Sequence, residues 1–232
     1  VDAKYKIKQR MPKAVSGRPL AEDSEIGVTL WRLRPARTDE PIEIRDLVQR
    51  TGVVAKEEWT PERLASDTAF EEGQMARLSI ESLRTGFLYI INRAKYQDGT
   101  YGVPYLIFPT RLIYRGDNRV EAGRSIQIPG PDEEPFTLER RKSKEGDLQI
   151  SEELIILVAP QRLQSFLVAP SDRQKLTAQS VENLIQKYAA PYEVAEKISG
   201  AGQAITIAEK RAAKTTNRTL SNEDPYPQTI IG

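Results

Sequence analysis

A mostly β chain, an immunoglobulin-like two-sheet β-sandwich with a C-terminal helical segment, is what this sequence predicts. Three observations carry that expectation. Gly86 to Asn118 packs two apolar, aromatic-rich runs around an Asp98-Gly99 turn and closes on Gly116-Asp117-Asn118. About eight short strand-like runs are separated by turn residues, the spacing of a sandwich or, as nearest competitor, a barrel. After Pro160 the period of the apolar residues becomes helical.

Residues 1–25 read as a basic N-terminal arm. Lys4-Tyr5-Lys6-Ile7-Lys8 alternates with period two, a strand burying Tyr5 and Ile7 with lysines on its other face. Lysines so placed suit an edge strand, where they block pairing with other chains. Contact with a polyanion or an anionic lipid is the functional alternative, but scattered charges are the ordinary state of a solvated face.

The sandwich is expected over 26–160. Val28 to Arg34 opens it, with Thr29, Trp31 and Leu33 on one face and Arg32 and Arg34 at the exposed end. Pro35 and Pro41 bracket a turn, and a short strand is expected within Ile42 to Val48. Thr60 before Pro61 has the pattern of a capped helical turn. Ala76, Leu78 and Ile80 alternate with Arg77, Ser79 and Glu81, as in a half-buried strand.

Phe87 to Ile91 and Tyr105 to Phe108 are apolar on both faces, as strands covered on both sides are. Between them a loop, Asn92 to Pro104, turns at Asp98-Gly99, where glycine tolerates positive φ. Ile126/Ile128 and Phe136/Leu138 flank a Pro129-Gly130-Pro131 turn, and Leu154 to Val158 is a second doubly apolar strand stopped by Pro160.

Residues 161–212 form the expected helical segment. Ser171-Asp172-Arg173-Gln174 has capping-box spacing, and Leu176, Val181, Leu184, Ile185 and Tyr188 share one helical side. A short helix is expected over Tyr192 to Ile198, while Ala204 to Ala208 fits strand or helix. Residues 213–232 read as an extended tail laid along the sandwich, with Pro225 and Pro227 keeping it open.

Composition removes whole classes of chemistry. The chain has 232 residues, a formal charge of +1, no histidine and no cysteine. It therefore supplies no histidine base, no Ser-His-Asp triad, no thiol nucleophile and no thiolate zinc site. The charge balance argues against nucleic acid as partner. No run approaches the length of a membrane span. The first residue is Val1, with no charged-then-apolar leader after it, as expected either where an export signal has been removed or where the chain has been trimmed.

The block Gly86-Phe87-Leu88-Tyr89-Ile90-Ile91-Asn92-Arg93, with Asp98-Gly99, Pro104 to Thr110 and Gly116-Asp117-Asn118, resembles a bacterial family of unknown function. Leu30 to Arg34 and Asp224 to Thr229 are also similar to its pattern. Members of that family are exported or envelope proteins, some fused to caspase-like peptidase or protein-kinase-like domains. The resemblance implies a periplasmic or extracellular setting and brings no catalytic residues with it.

Candidate sites follow from chemistry. Asp98, Asp117 and Asn118 lie in turns flanking one apolar block, and their oxygens suit Ca²⁺ if the turns share one end; Asp and Asn are also ordinary turn residues. Arg115-Gly116-Asp117 matches the integrin tripeptide, a three-residue match that the turn itself explains. Tyr89 and Tyr105 suit core packing, whereas Tyr96 and Tyr101, in the expected loop, suit recognition. Glu71/Glu72, Glu133/Glu134 and Glu152/Glu153 are adjacent, so a strand turns the members of each pair to opposite faces, which makes poor acid–base dyads. Lys210, Arg211 and Lys214 lack the interleaved aromatics of a nucleic-acid surface.

The resulting expectation is a non-enzymatic interaction module, with no cofactor, that binds a protein or cell-envelope glycan through Tyr96, Tyr101, Arg115 and Asn118. Asp98 and Asp117 are its metal candidates. Two readings compete with it: a hydrolase or transferase using Ser–Lys or carboxylate–metal chemistry, and a regulatory or sensor domain of a larger assembly.

Overall fold

The computed structural model describes residues 5–7, 25–42, 45–48, 57–64, 69–140, 146, 148–166, 168, 170–188, 193–196 and 228–231. The strands are β1 (Tyr5–Ile7), β2 (Glu25–Pro35), β3 (Asp46–Val48), β4 (Glu57–Leu64), β5 (Ala69–Phe70), β6 (Met75–Ser82), β7 (Gly86–Tyr96) and β8 (Tyr105–Phe108). After them come β9 (Arg119–Val120), β10 (Ser125–Ile128), β11 (Phe136–Thr137), β12 (Gln149–Ala159) and β13 (Gln174–Lys175). The helix α1 (Ala178–Tyr188) precedes β14 (Glu193–Glu196) and β15 (Gln228–Ile231).

The protein is mostly β, built as two sheets with one short helix among the described residues. The first sheet runs β13-β8-β7-β12-β1-β5, with β9 beside β7; the second runs β10-β6-β2-β15-β14, with β11 on β6 and β4 and β3 on the flank of β2. Pairing is antiparallel in both, except that β1 runs parallel to β12.

Strand alternation decides what each face meets. Leu88 and Ile90 of β7 face the second sheet, joining Phe108 and Val120 to Val28, Leu78, Ile80 and Ile128 in the inter-sheet core. Tyr89 and Ile91 point the other way and pack with Leu106, Phe166, Leu176, Val181 and Leu184, the last two from α1. The helix and the segment before it thus form a third layer over the first sheet. Burying Val181 and Leu184 contributes about 1.5–3 kcal/mol each.

Both faces of β7 and β12 carry apolar residues because two different layers cover them, which is why these runs read as doubly covered strands. That part of the expectation holds. Several local ones do not.

Thr60 and Pro61 lie inside strand β4 and cap nothing. The Thr60 hydroxyl donates to Glu40 Oε2 at 2.7 Å, as does the Arg37 backbone N–H at 3.0 Å. Arg34 hydrogen-bonds the same carboxylate, and these bonds, that from Arg34 first, hold Glu40 down at about 2. Glu40 therefore organises the turn that the two prolines bracket. Pro61 is tolerated because β3 pairs only with Glu57–Trp59, leaving β4 an edge at that point.

β6 is buried on nearly its whole length instead of one face. The Pro129–Pro135 loop folds over the Arg77 side, and Arg77 Nη2 donates to Pro131 O at 3.1 Å and Glu133 O at 2.9 Å. Ser79 accepts the Trp31 indole N–H at 2.9 Å. Only a distant loop can create that burial, so alternation does not reveal it.

The Ser171 motif starts no helix. Gln174 and Lys175 pair with Leu106 and Tyr105 of β8, and the helix begins seven residues after Ser171 at Ala178, capped by the Thr177 hydroxyl on the Ser180 N–H at 3.1 Å. Glu193–Glu196 is a strand pairing with β15, not a helix. β1 is an inner strand between β12 and β5, not an edge. Of the expected tail, Gln228–Ile231 is described, a strand that pairs with β2, and the rest lies outside the described residues. Ala204 to Ala208, Lys210, Arg211 and Lys214 lie outside the described residues.

Candidate functional site

β7 is the reference for every candidate residue, since both candidate loops attach to it. It extends to Tyr96, so Asn92 to Tyr96 are sheet positions and not the start of a loop. The cause is on β12. Glu153 lies opposite Arg93, and Glu152 reaches Asn92 from the other face.

Arg93 is 2% exposed. Its Nε donates to Glu153, and its Nη1 donates to Glu182 Oε1 of α1 at 2.9 Å. Burial works against its charge, yet hydrogen bonds with Glu182 and Glu153 hold its pKa above the ordinary value. Removing one partner from a buried pair like Arg93–Glu153 costs about 3–5 kcal/mol, because the other charge is left uncompensated. The triad ties the helix to the sheet.

Tyr101 closes this triad. Its ring lies 3.9 Å from the Arg93 guanidinium carbon and 5.6 Å from Lys95 Nζ, and Tyr101 bridges to Lys95 across the turn. It is half-buried and belongs to the support of the ion cluster. Tyr96, expected in a binding loop, is 7% exposed as the last residue of β7. Its place in the core corrects that assignment: the strand is longer than its apolar run. Ser151, opposite Lys95 in register, is 1% exposed, whereas Lys95 is half-buried.

Asn118 is likewise an anchor of the fold. It is 1% exposed, its Nδ2 donates to Leu88 O at 2.9 Å, and its own carbonyl accepts the Leu88 N–H at 2.8 Å. Side chain and backbone together extend the β9–β7 pairing by one residue.

Asp98 and Asp117 do not converge. Asp117 precedes Arg119, which pairs with Phe87, whereas Asp98 follows Tyr96 at the opposite end of β7. Nine residue steps along the strand separate Phe87 from Tyr96, about 30 Å. Asp98 Oδ1 accepts the Thr100 N–H at 2.8 Å and its hydroxyl at 2.7 Å, and these bonds hold its carboxyl below the usual range. Asp117 Oδ1 accepts the Arg119 N–H at 3.1 Å. Each aspartate closes its own turn, and among the described residues no group of three acidic side chains is placed to hold a metal.

Arg115 is different. The chain from Thr110 to Asn118 leaves β8 in successive tight turns, closed by Ile113 N to Thr110 O, Gly116 N to Ile113 O and Asp117 N to Tyr114 O. Tyr114 has φ 47°, Arg115 φ 54° and Gly116 φ 85°. A left-handed residue with a side chain costs roughly 1–2 kcal/mol, and two stand here in succession.

The surroundings over-determine this conformation. Glu133 Oε1 accepts the Tyr114 N–H at 2.5 Å, and Glu133 Oε2 accepts the Gly130 N–H at 2.7 Å. The Tyr114 hydroxyl donates to Gln127 O at 2.8 Å, and its burial raises its pKa. Gly116 lies against Val168, where a Cβ would come within 2.4 Å of a methyl.

Inward, the loop buries Ile113, Gly116 and Asn118; outward it presents Arg111, Leu112, Arg115, Asp117 and Arg119. Leu112 is 62% exposed. Arg115 was legible as a turn residue beside Gly116-Asp117. Arg111 and Leu112 were missed, because strand alternation ends at Pro109 and no local pattern marks a left-handed turn without glycine at its head.

Comparison with protein-family models, curated proteins and solved structures found no match. No helix among the described residues is long and apolar enough to cross a membrane.

Proposed function

We propose that this protein is a non-enzymatic interaction module of the bacterial envelope or of an exported complex, which contacts its partner through the loop from Arg111 to Arg119. The observation that carries the reading is the left-handed Tyr114-Arg115-Gly116 turn, strained at two residues and braced from three directions. Backbone strain persists where the surroundings over-determine it, and it concentrates at recognition and catalytic sites. Here it lifts an arginine out of a rigid sandwich, and loops on rigid scaffolds are where recognition residues gather. The envelope setting rests on the resemblance of the Gly86–Asn118 block.

The test needs no partner. Arg115→Gly removes the side chain that makes the left-handed conformation costly, and the variant should gain about 1 kcal/mol in thermal unfolding. A gain means that folding does not require arginine at this position and that the strain is retained for something else. A loss of stability in Arg115→Gly would show that the side chain holds the loop, and the reading would fall.

A further inference from the structure

The chemistry of the partner follows from how charge is distributed on this loop. Arg111, Arg115 and Arg119 are all exposed, and among the described residues none is in an ion pair. The neighbouring carboxylates hold backbone groups of the loop: Asp117 Oδ1 accepts the Arg119 N–H, and the two Glu133 oxygens accept the N–H groups of Tyr114 and Gly130. Asp132 and Glu134 are exposed acids of the Pro129–Pro135 loop. Three guanidinium groups are thus presented to solvent by a backbone whose turns are closed by its own hydrogen bonds and by Glu133.

Leu112 decides between kinds of anion. It is among the most exposed large apolar side chains described, and it stands between Arg111 and Arg115. A sulfated or phosphorylated polymer gains nothing from an exposed leucine. A peptide that alternates carboxylates with an apolar residue gains from both, since arginine and a central apolar contact are what protein interfaces concentrate. The near-neutral chain, at +1, also lacks the broad basic field that polyanion binding uses.

We propose that the Arg111–Arg119 loop binds an acidic peptide segment, with its carboxylates on Arg111, Arg115 and Arg119 and an apolar residue on Leu112. This rests on the reading of the loop as the contact surface. Arginine matches carboxylates in a two-pronged geometry, which a lysine patch would not supply.

The experiment uses the full chain and a fluorescein-labelled peptide of repeating Glu-Glu-Leu, followed by fluorescence anisotropy. Gln-Gln-Leu and Glu-Glu-Ser repeats and a heparin fragment serve as comparators. The acidic leucine peptide should bind at least about tenfold tighter than the glutamine peptide, and its binding should weaken as salt rises. Arg115→Gln and Arg119→Gln should each weaken it by about tenfold, the loss of one good charge contact. Leu112→Asn should abolish the preference for the leucine over the serine repeat.

Heparin bound through the same arginines, with no acidic peptide bound, would overturn the partner class while leaving the loop as a contact surface. Peptide binding indifferent to Arg115→Gln, or equal for the acidic and glutamine repeats, would overturn the proposal. So would the absence of binding to every probe, while the stability gain of Arg115→Gly would still decide the reading beneath it.

Discussion

Two loops serve the two ends of β7, and they solve the same problem in opposite ways. The turn after Tyr96 is closed by local bonds, Gly99 N to Tyr96 O at 3.0 Å, Tyr96 N to Thr100 O at 2.9 Å and the Asp98 carboxylate on Thr100, with one distant bond from Gln97 N to Leu148 O at 3.1 Å. Its one left-handed residue is a glycine in open space. The loop before β9 places Tyr114 and Arg115 in the left-handed region and is held by Glu133, Gln127 and Val168, all distant in sequence. A loop that obeys local preference can be a mere connection. One that opposes it survives only because the tertiary structure overrides that preference, which makes it the better candidate for a selected role.

Substitutions can break or sharpen this contrast. The largest effect should come from Gly116→Ala: a Cβ 2.4 Å from a Val168 methyl, at φ 85°, combines overpacking with backbone strain. A loss of about 3 kcal/mol in chemical denaturation is expected. Glu133→Ala should follow at about 2 kcal/mol, since the Tyr114 and Gly130 N–H groups lose their acceptor together. If Glu133→Ala instead left stability unchanged, the bracing account of the left-handed turn would be wrong.

Gly99→Ala should cost only about 1 kcal/mol, because its Cβ would meet nothing and only the positive φ resists it. Equal losses for the two alanine variants would erase the distinction between the loops. The smallest effect belongs to Asp98→Asn and should be identified by its pH dependence. The folded carboxyl titrates below its ordinary value, so its contribution is present above the unfolded pKa and is lost as the pH falls through the folded one. Removing it should lower stability slightly near neutral pH, leave it unaltered below the folded pKa, and so flatten the acid limb of the stability profile.

How much could be read in advance differs between the strands and the site. Phe87 to Ile91 and Leu154 to Val158 announce themselves as doubly covered strands because both of their faces are apolar. The opposite-face geometry of Glu152 and Glu153 also follows from strand periodicity, and Asn92 and Arg93 take one carboxylate each. What escaped notice was that Asn92 to Tyr96 continue the strand, since their burial depends on charges supplied from β12 and α1. Thr60-Pro61 and Ser171 to Gln174 carry genuine helix-start residues, yet Glu40 and the β8 edge claim those groups first.

By itself the sequence determined the class of fold, the position of the central apolar strands, the Asp98-Gly99 turn and the exclusion of histidine and cysteine chemistry. Each of these depends on composition or on the period of neighbouring residues. The tertiary structure alone decided which layers cover β7, why Tyr96 and Asn118 are buried, and why Asp98 and Asp117 stand at opposite ends of a strand. It also decided that Arg115 is held outward in a left-handed turn. Those outcomes depend on groups that lie far apart along the chain, and local pattern holds no record of which distant group will arrive.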